Sequence, residues 1–335
     1  MQKKIAIIFT GGTISMKIDP RIAAAIPAMS SEELMAMVIN VDKLADIEII
    51  NFSELPSPHI TIEQLVELRA TVVKLIERSD IDGIVITHGT DSLEETAFYL
   101  DLSLKTAKPI VFVAAMRNAS ELGYDGPANL AAAICTAADE ASRNKGVLIV
   151  MNNDINTALE TTKTHTMSLN TFKSIEFGPL GIVDNNQVIY YRNIYKHHHI
   201  EVNRLAKNIH LIKTALGTDG MIIDYLIDNG AEGFVIEAMG RGNVPPTMLH
   251  AIKRAIANQL PVVIVSRCPS GRVLDSYGYE GGGKHLRELG AILGSNLNGQ
   301  KARIKLMLAV AYSKDLAVIK MLFERDNYAP LNAPD

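Results

Sequence analysis

Short apolar runs rich in β-branched residues, each closed by turn residues and followed by an amphipathic stretch of helical length, recur along this chain. That alternation is the strongest restriction on its fold, because successive strands joined by helices run parallel and the helices cover the sheet. Runs at 4–9, 47–51, 83–87, 110–114 and 147–151 read as strands. Between them, 61–78 sets apolar residues at 65, 68, 72, 73, 75 and 76, a helical stripe with Thr61 and Glu63 suited to its first turn. Segments 92–102 and 126–141 follow the same pattern. After Met151 the runs become short and rich in Asn and Thr, ending in QVIYYR at 187–192, which predicts an antiparallel appendage. A second alternation begins near His210, with strands at 210–214, 233–237 and 262–266 and helices at 219–227, 247–258 and 301–312. The polar, charged segment between the two alternations predicts a linker at 193–209. The expected architecture is α/β: a larger N-terminal parallel-sheet domain at 1–192 and a smaller C-terminal parallel-sheet domain at 210–335.

Two such domains need two cores, and 47% hydrophobic residues supply them. A net charge of −4 gives no broad basic surface, so nucleic acid is not an expected partner. The basic start and apolar run at 5–9 fall short of the roughly seven apolar residues of a signal-peptide core, and the run reads as the first strand. No stretch approaches the roughly 18 apolar residues of a membrane span. With only Cys135 and Cys268, a disulfide framework is not expected, and a reducing compartment, the cytoplasm, is.

Chemistry concentrates where strands end. TGGTI at 10–14 follows the first strand directly, at the carboxyl end where open α/β sheets place ligands. Its glycines permit close backbone approach and its threonines supply hydroxyls, although a tight turn with a polar cap reads the same way. It is not a phosphate cradle, which calls for GxGxxG or GxxxxGK. HGTD at 88–91 stands in the same relation to the strand at 83–87. An N-cap would account for Asp91 but not for Thr90 beside it, and two hydroxyl-bearing strand ends can converge on one small ligand. Lys163 lies among neutral polar residues in ETTKTHT. Near Thr90 and Asp91 it would ease removal of the threonine proton; alone, a lysine is more often surface. His165 reads as an edge histidine. The run at 197–199 has poor spacing for one metal ion and reads as solvated linker, so no metal or other cofactor is expected.

In combination these segments resemble the bacterial-type L-asparaginase family, the threonine amidohydrolases that include glutaminase-asparaginases. The resemblance runs through TGGTIS, THGTDSLEETA at 87–97, AAMRNASELGYDGPANL at 114–130, RNKGVLIVMNNDI at 143–155, TKTHTMSLNTFKS at 162–174 and NGQKARIKL at 298–306. It implies hydrolysis of the side-chain amide of L-asparagine, with L-glutamine as the alternative substrate, through a threonine acyl-enzyme that releases ammonia. Thr10 matches the family's nucleophile. Thr90, Asp91 and Lys163 match its second catalytic group, with Asp91 also taking the substrate ammonium. Ser57 falls at a substrate-carboxylate contact, and Gly11, Gly89 and Thr90 fall at the turns that line the substrate, where backbone amides are natural donors to an oxyanion. Asn243, in GRGN, matches a position that in relatives reaches a neighbouring protomer's site. A homodimer or homotetramer is implied, in the cytoplasmic branch.

One departure stands out. Many members carry a tyrosine on the mobile loop after TGGTI, and residues 15–30 here contain none. Tyr279, in a YxGG pattern resembling one in the cytoplasmic branch, is the expected substitute, supplied by a neighbouring protomer. The segment 15–30 reads equally as a lid over the site or as a helix turn packed on the sheet through AAAIPAM. Two other functions remain open: the amidase subunit of a tRNA-dependent amidotransferase, which carries an extra N-terminal domain not expected with TGGTI starting at residue 10, and a protein that binds an amino acid without turning it over.

Overall fold

The computed structural model describes residues 2–194 and 198–324. The chain divides into two compact units, Met1–His199 and Ile200–Asp335. In the first, strands β1 (Lys4–Phe9), β2 (Met16–Asp19), β3 (Ala24–Pro27) and β4 (Asp46–Asn51) precede β5 (Gly83–Thr87), β6 (Ile110–Val113), β7 (Val147–Met151) and β8 (Asp154–Thr157). Four short strands follow, β9 (Thr161–Lys163), β10 (Phe172–Ser174), β11 (Gly181–Asp184) and β12 (Gln187–Tyr190). Helices α1 (Ser31–Ala36), α2 (Val41–Leu44), α3 (Ile62–Glu77), α4 (Leu93–Ser103) and α5 (Gly126–Ala138) connect them.

One eight-stranded sheet runs in the order β12-β11-β8-β7-β6-β5-β1-β4. Its five strands from β4 to β7 are mutually parallel, and β8, β11 and β12 extend it antiparallel, so the appendage expected after Met151 is its edge. The inner strands β5, β6 and β7 are buried along their whole length, which is why their sequences are nearly continuous apolar runs rather than alternating ones. Helix α3 begins where its sequence says, with Thr61 and Gln64 forming a reciprocal capping box. Helix α4 is buried almost all round, so its residues carry no clear stripe.

Four readings change. Residues 24–27 are not a helix turn packed on the sheet: they form β3, a largely exposed strand paired with β2 in a hairpin. Helix α5 stops at Ala138 rather than 141, because Asp139 turns its carboxylate to the Ala141 N–H (2.7 Å) and starts a short 3-10 turn. The segment expected as a polar linker at 193–209 buries Ile200, Leu205 and Ala206, and the Ala206 N–H donates to the Met307 carbonyl (3.1 Å). Tyr195, Lys196 and His197 lie outside the described residues. A further helix, Leu316–Glu324, follows the last one that the sequence pattern predicts.

In the second unit β13 (Ile209–Lys213), β14 (Gly233–Ala238), β15 (Val262–Ser266) and β16 (Ile292–Leu293) form a parallel sheet in chain order. Helices α6 (Met221–Asp228), α7 (Leu249–Ala257), α8 (Gly283–Leu289), α9 (Gly299–Tyr312) and α10 (Leu316–Glu324) accompany it. Its core gathers Phe234, Ile236, Met248, Ile252, Ile264 and Leu286. The chain is thus α/β in both parts, a larger mostly parallel sheet followed by a smaller parallel one.

Candidate active site

Strands β1 and β5 are neighbours with Phe9 beside Thr87, so the turns that follow them emerge side by side. Thr10 is buried (1% exposed). Its hydroxyl donates to the Thr87 carbonyl (2.7 Å) and its N–H to the Thr87 hydroxyl (3.3 Å). The Thr10 carbonyl accepts from the Ser53 hydroxyl (2.8 Å) and the Leu55 N–H (3.2 Å), so the main chain of this residue is held from two sides.

The glycines beside it are required by contact as well as by conformation. Gly12 has φ 88°, and a Cβ there would lie 2.4 Å from the Gly89 backbone. Gly89 in turn leaves room for Ser57, whose Cβ would be 2.7 Å from an added methyl. The TGGT turn, the HGTD turn and the segment at Ser57 are therefore stacked backbone on backbone, closer than any side chain allows. Ser57 seals the stack: its Oγ accepts the Asp91 N–H (3.2 Å) and its carbonyl accepts from the Ser92 hydroxyl (3.0 Å).

Lys163, the last residue of β9, reaches into this group. Its Nζ donates to Thr90 Oγ1 at 3.0 Å and to Asp91 Oδ1 at 2.7 Å. The lysine side chain is 18% exposed and the aspartate 62%, so one end of the triad faces the protein and the other is open to a ligand. Sequence spacing gave no hint that residues 72 apart would meet; only the family resemblance did.

Other residues support the site without having been singled out. His88 is fully buried, with Nδ1 2.8 Å from the Gly89 carbonyl oxygen and its ring 5.8 Å from that of Phe112. Burial pushes its pKa down to about 4, so the imidazole is neutral at pH 7. Asp125 accepts the Met116 N–H (3.1 Å), the Arg117 N–H (3.0 Å) and the Asn129 amide (2.9 Å). Asn129 also donates to the Ala114 carbonyl (3.0 Å) and accepts from the Asn152 N–H (2.9 Å). Tyr124 donates its hydroxyl to the Ile14 carbonyl. The YDGPAN stretch is thus a clamp that fastens the ends of β6 and β7 to the turn after β1. A run of polar residues between a strand end and a buried helix was its available signal.

The hairpin β2–β3 is anchored at its base, where the Ser15 carbonyl accepts the Ala28 (3.1 Å) and Met29 (3.0 Å) N–H groups, while its tip is exposed at Ile22. His165 lies past the end of β9, where its Nδ1 accepts from the Met167 (3.0 Å) and Ser168 (3.1 Å) N–H groups in an exposed turn. Among the described residues no three His, Cys, Asp or Glu side chains are grouped to hold a metal ion. Asn243 and Tyr279 belong to the second unit. There the Asn243 carbonyl oxygen of the side chain accepts the Gly283 N–H (3.3 Å), and Tyr279 is 56% exposed with its ring 5.6 Å from that of Tyr277.

Residues 4–196 match the family model for the N-terminal asparaginase domain, and residues 208–323 match that for the glutaminase/asparaginase C-terminal domain. The chain belongs to the asparaginase family. This asparaginase-family chain is 35% identical over 315 residues to an L-asparaginase of Bacillus licheniformis, covering 94% of it and 98% of that relative. It is 34% identical over 332 residues to a probable periplasmic L-asparaginase of Haemophilus influenzae, covering 96% and 92% of the two chains. Among solved structures, a probable cytoplasmic L-asparaginase from Campylobacter jejuni matches with a TM-score of 0.87 at 32% identity, covering 96% of this chain and 99% of that one. In this asparaginase-family chain the grouped hydroxyls and carboxylate lie past the carboxyl ends of β1 and β5, where open α/β sheets place ligands, and Lys163 reaches them from the end of β9.

Proposed function

We propose that this chain hydrolyses L-asparagine to L-aspartate and ammonia through an acyl-enzyme on Thr10. The observation that carries the reading is the Lys163 ammonium within hydrogen-bond distance of both Thr90 Oγ1 (3.0 Å) and Asp91 Oδ1 (2.7 Å), beside the turn that holds Thr10. Thr10 Oγ attacks the side-chain amide carbon, and its proton passes to the departing nitrogen, which leaves as ammonia. Water then opens the ester, forms the product carboxyl group and returns a proton to Thr10. Thr90, its hydroxyl fixed by Lys163, is the relay for these protons. The Gly11 and Thr90 N–H groups stabilise the oxyanion of each tetrahedral intermediate. Asp91, open to solvent beyond its lysine contact, takes the substrate ammonium, and the Ser57 hydroxyl donates to the substrate carboxylate.

The resemblance extends the proposal to the second unit, where Tyr279 stands in for the loop tyrosine that residues 15–30 lack and Asn243 contacts substrate, both from a neighbouring protomer of a homodimer or homotetramer. The hairpin β2–β3 is the lid. The working compartment is the cytoplasm; among the described residues no helix is long and apolar enough to cross a membrane. L-Glutamine is the competing substrate, since one methylene is worth only about 1–3 kcal/mol of discrimination.

The test is ammonia release from L-asparagine and L-glutamine, side by side, for wild type and Thr10→Ala, with calorimetric binding in parallel. Thr10→Ala is expected to keep binding and to lose turnover by about 10³-fold or more. A folded wild type that binds asparagine but releases no ammonia would replace the enzyme reading with an amino-acid-binding one.

A further inference from the structure

Lys163 sits on a three-residue strand paired only with β10 in a separate two-stranded sheet, whereas the two groups it must reach stand at the entrance to α4. Something must fix the distance between these elements, because a displacement of about 1 Å at a reacting group can cost about 10²-fold in rate. Glu94, in the first turn of α4, spans them. Its Oε1 accepts the Thr162 hydroxyl at 3.2 Å and the Lys163 N–H at 3.4 Å.

The first turn of α4 holds two acids, Glu94 and Glu95. A carboxylate left partly open to solvent is enough to favour the helix dipole, and the half-buried Glu95 meets that need. Glu94 is instead 5% exposed, and burying a carboxylate is costly unless specific donors receive it. Two of its donors are the lysine's own backbone N–H and the hydroxyl of the residue before it. We infer that Glu94 is a positioning residue that sets the reach of Lys163 toward Thr90 and Asp91, an inference that rests on the proposed role of that lysine. It contacts neither substrate nor the reacting atoms. It acts through the strand that carries the lysine.

Three substitutions separate this from a general role in folding. Glu94→Gln keeps an acceptor oxygen at the same reach, Glu94→Asp keeps the charge but shortens the arm by one methylene, about 1.5 Å, and Glu94→Ala removes the tether. Steady-state kinetics on L-asparagine should show kcat within about threefold of wild type for Gln, and a fall of about tenfold or more for Asp and Ala with KM within about twofold. Melting temperature reports folding, and the Asp variant keeps the question answerable where Ala fails to fold. A second readout needs no turnover: acetic anhydride labelling of Lys163, followed by mass spectrometry against the exposed Lys213, should speed up severalfold in Asp and Ala but not in Gln. Wild-type rates and labelling in Asp and Ala would overturn the inference, as would loss confined to KM, or a Gln variant as impaired as Ala. A wild type that releases no ammonia defeats the enzyme reading, while the labelling arm still decides whether Glu94 holds the lysine.

Discussion

His88 places a titratable ring, wholly buried, in the same turn that presents Thr90. With Nδ1–H donating to the Gly89 carbonyl, Nε2 is left buried without a hydrogen-bond partner, so protonation would add a charge and a donor where nothing accepts it. That burial is why the pKa falls from 6.5 to about 4. The folded pKa lies below the unfolded one, so between those values the unfolded chain binds the extra proton and the folded chain does not. Stability is therefore lost as pH falls from about 6.5 toward 4 and levels off below, a contribution of about 3 kcal/mol from this residue. Urea unfolding at pH 7.5 and 4.5 should show a loss in wild type exceeding that in His88→Gln by about 2 kcal/mol. An NMR titration of the folded protein with the His88 midpoint above 6 would contradict the argument. At this scale the sequence displayed the hydroxyls and acids of TGGT and HGTD plainly, since motifs at strand ends are local. It could not display His88 as buried, or Glu94 as different from Glu95, because those properties belong to the packing around them.

Elements differ in how much they announced themselves, and the reason is burial. The inner parallel strands β1, β5, β6 and β7 are buried almost throughout, so each is a largely unbroken apolar run, and Thr61 marks the start of α3 through its capping box. The hairpins were not announced. Strands β2 and β3 are four residues each and contain no fully buried residue, and β9 and β10 are only three residues each, too short for a pattern to stand out. What holds the β9–β10 hairpin is instead an ion pair. Arg192 bonds the Glu160 carboxylate, donates to the Gly178 carbonyl (2.8 Å) and lies over the Phe177 ring, and Ser174 donates to the same carboxylate (3.3 Å). Glu160 is 6% exposed, so removing its partner leaves a buried charge uncompensated. Arg192→Met is expected to cost about 3 kcal/mol in chemical denaturation and to lower kcat by loosening the strand that ends in Lys163. Adding Glu160→Gln should recover more than half of the stability, because the stranded charge is then gone. A single substitution as mild as an ordinary surface change, about 0.5 kcal/mol, would show that the pair does not hold the hairpin.

At the scale of the whole molecule, the sequence supports a division of labour between its halves. Thr10, Thr90, Asp91 and Lys163 all belong to the first unit, and the proposed stand-in for the absent loop tyrosine, Tyr279, belongs to the second. If Tyr279 serves the neighbour's Thr10, two different inactive chains can repair each other. Thr10→Ala supplies an intact Tyr279 and no nucleophile; Tyr279→Phe supplies an intact Thr10 and no phenol. In a mixed dimer one site combines both intact residues and the other combines both defects. Random exchange makes about half of the dimers mixed, each with one working site of two, so activity should return to about a quarter of wild type. The measurement is ammonia release after the two variants are unfolded and refolded together, with sedimentation confirming the assembly. Refolded separately and then assayed at once, the same chains should stay inactive. If Tyr279 served its own chain, the mixed dimer would join a lost nucleophile to an idle tyrosine in one site and the reverse in the other, and activity would not rise above that of the unmixed variants. Full turnover by Tyr279→Phe alone would remove the tyrosine from the mechanism altogether, leaving Thr10 to be activated by the Thr90–Lys163 pair that the first unit already holds together at 3.0 Å.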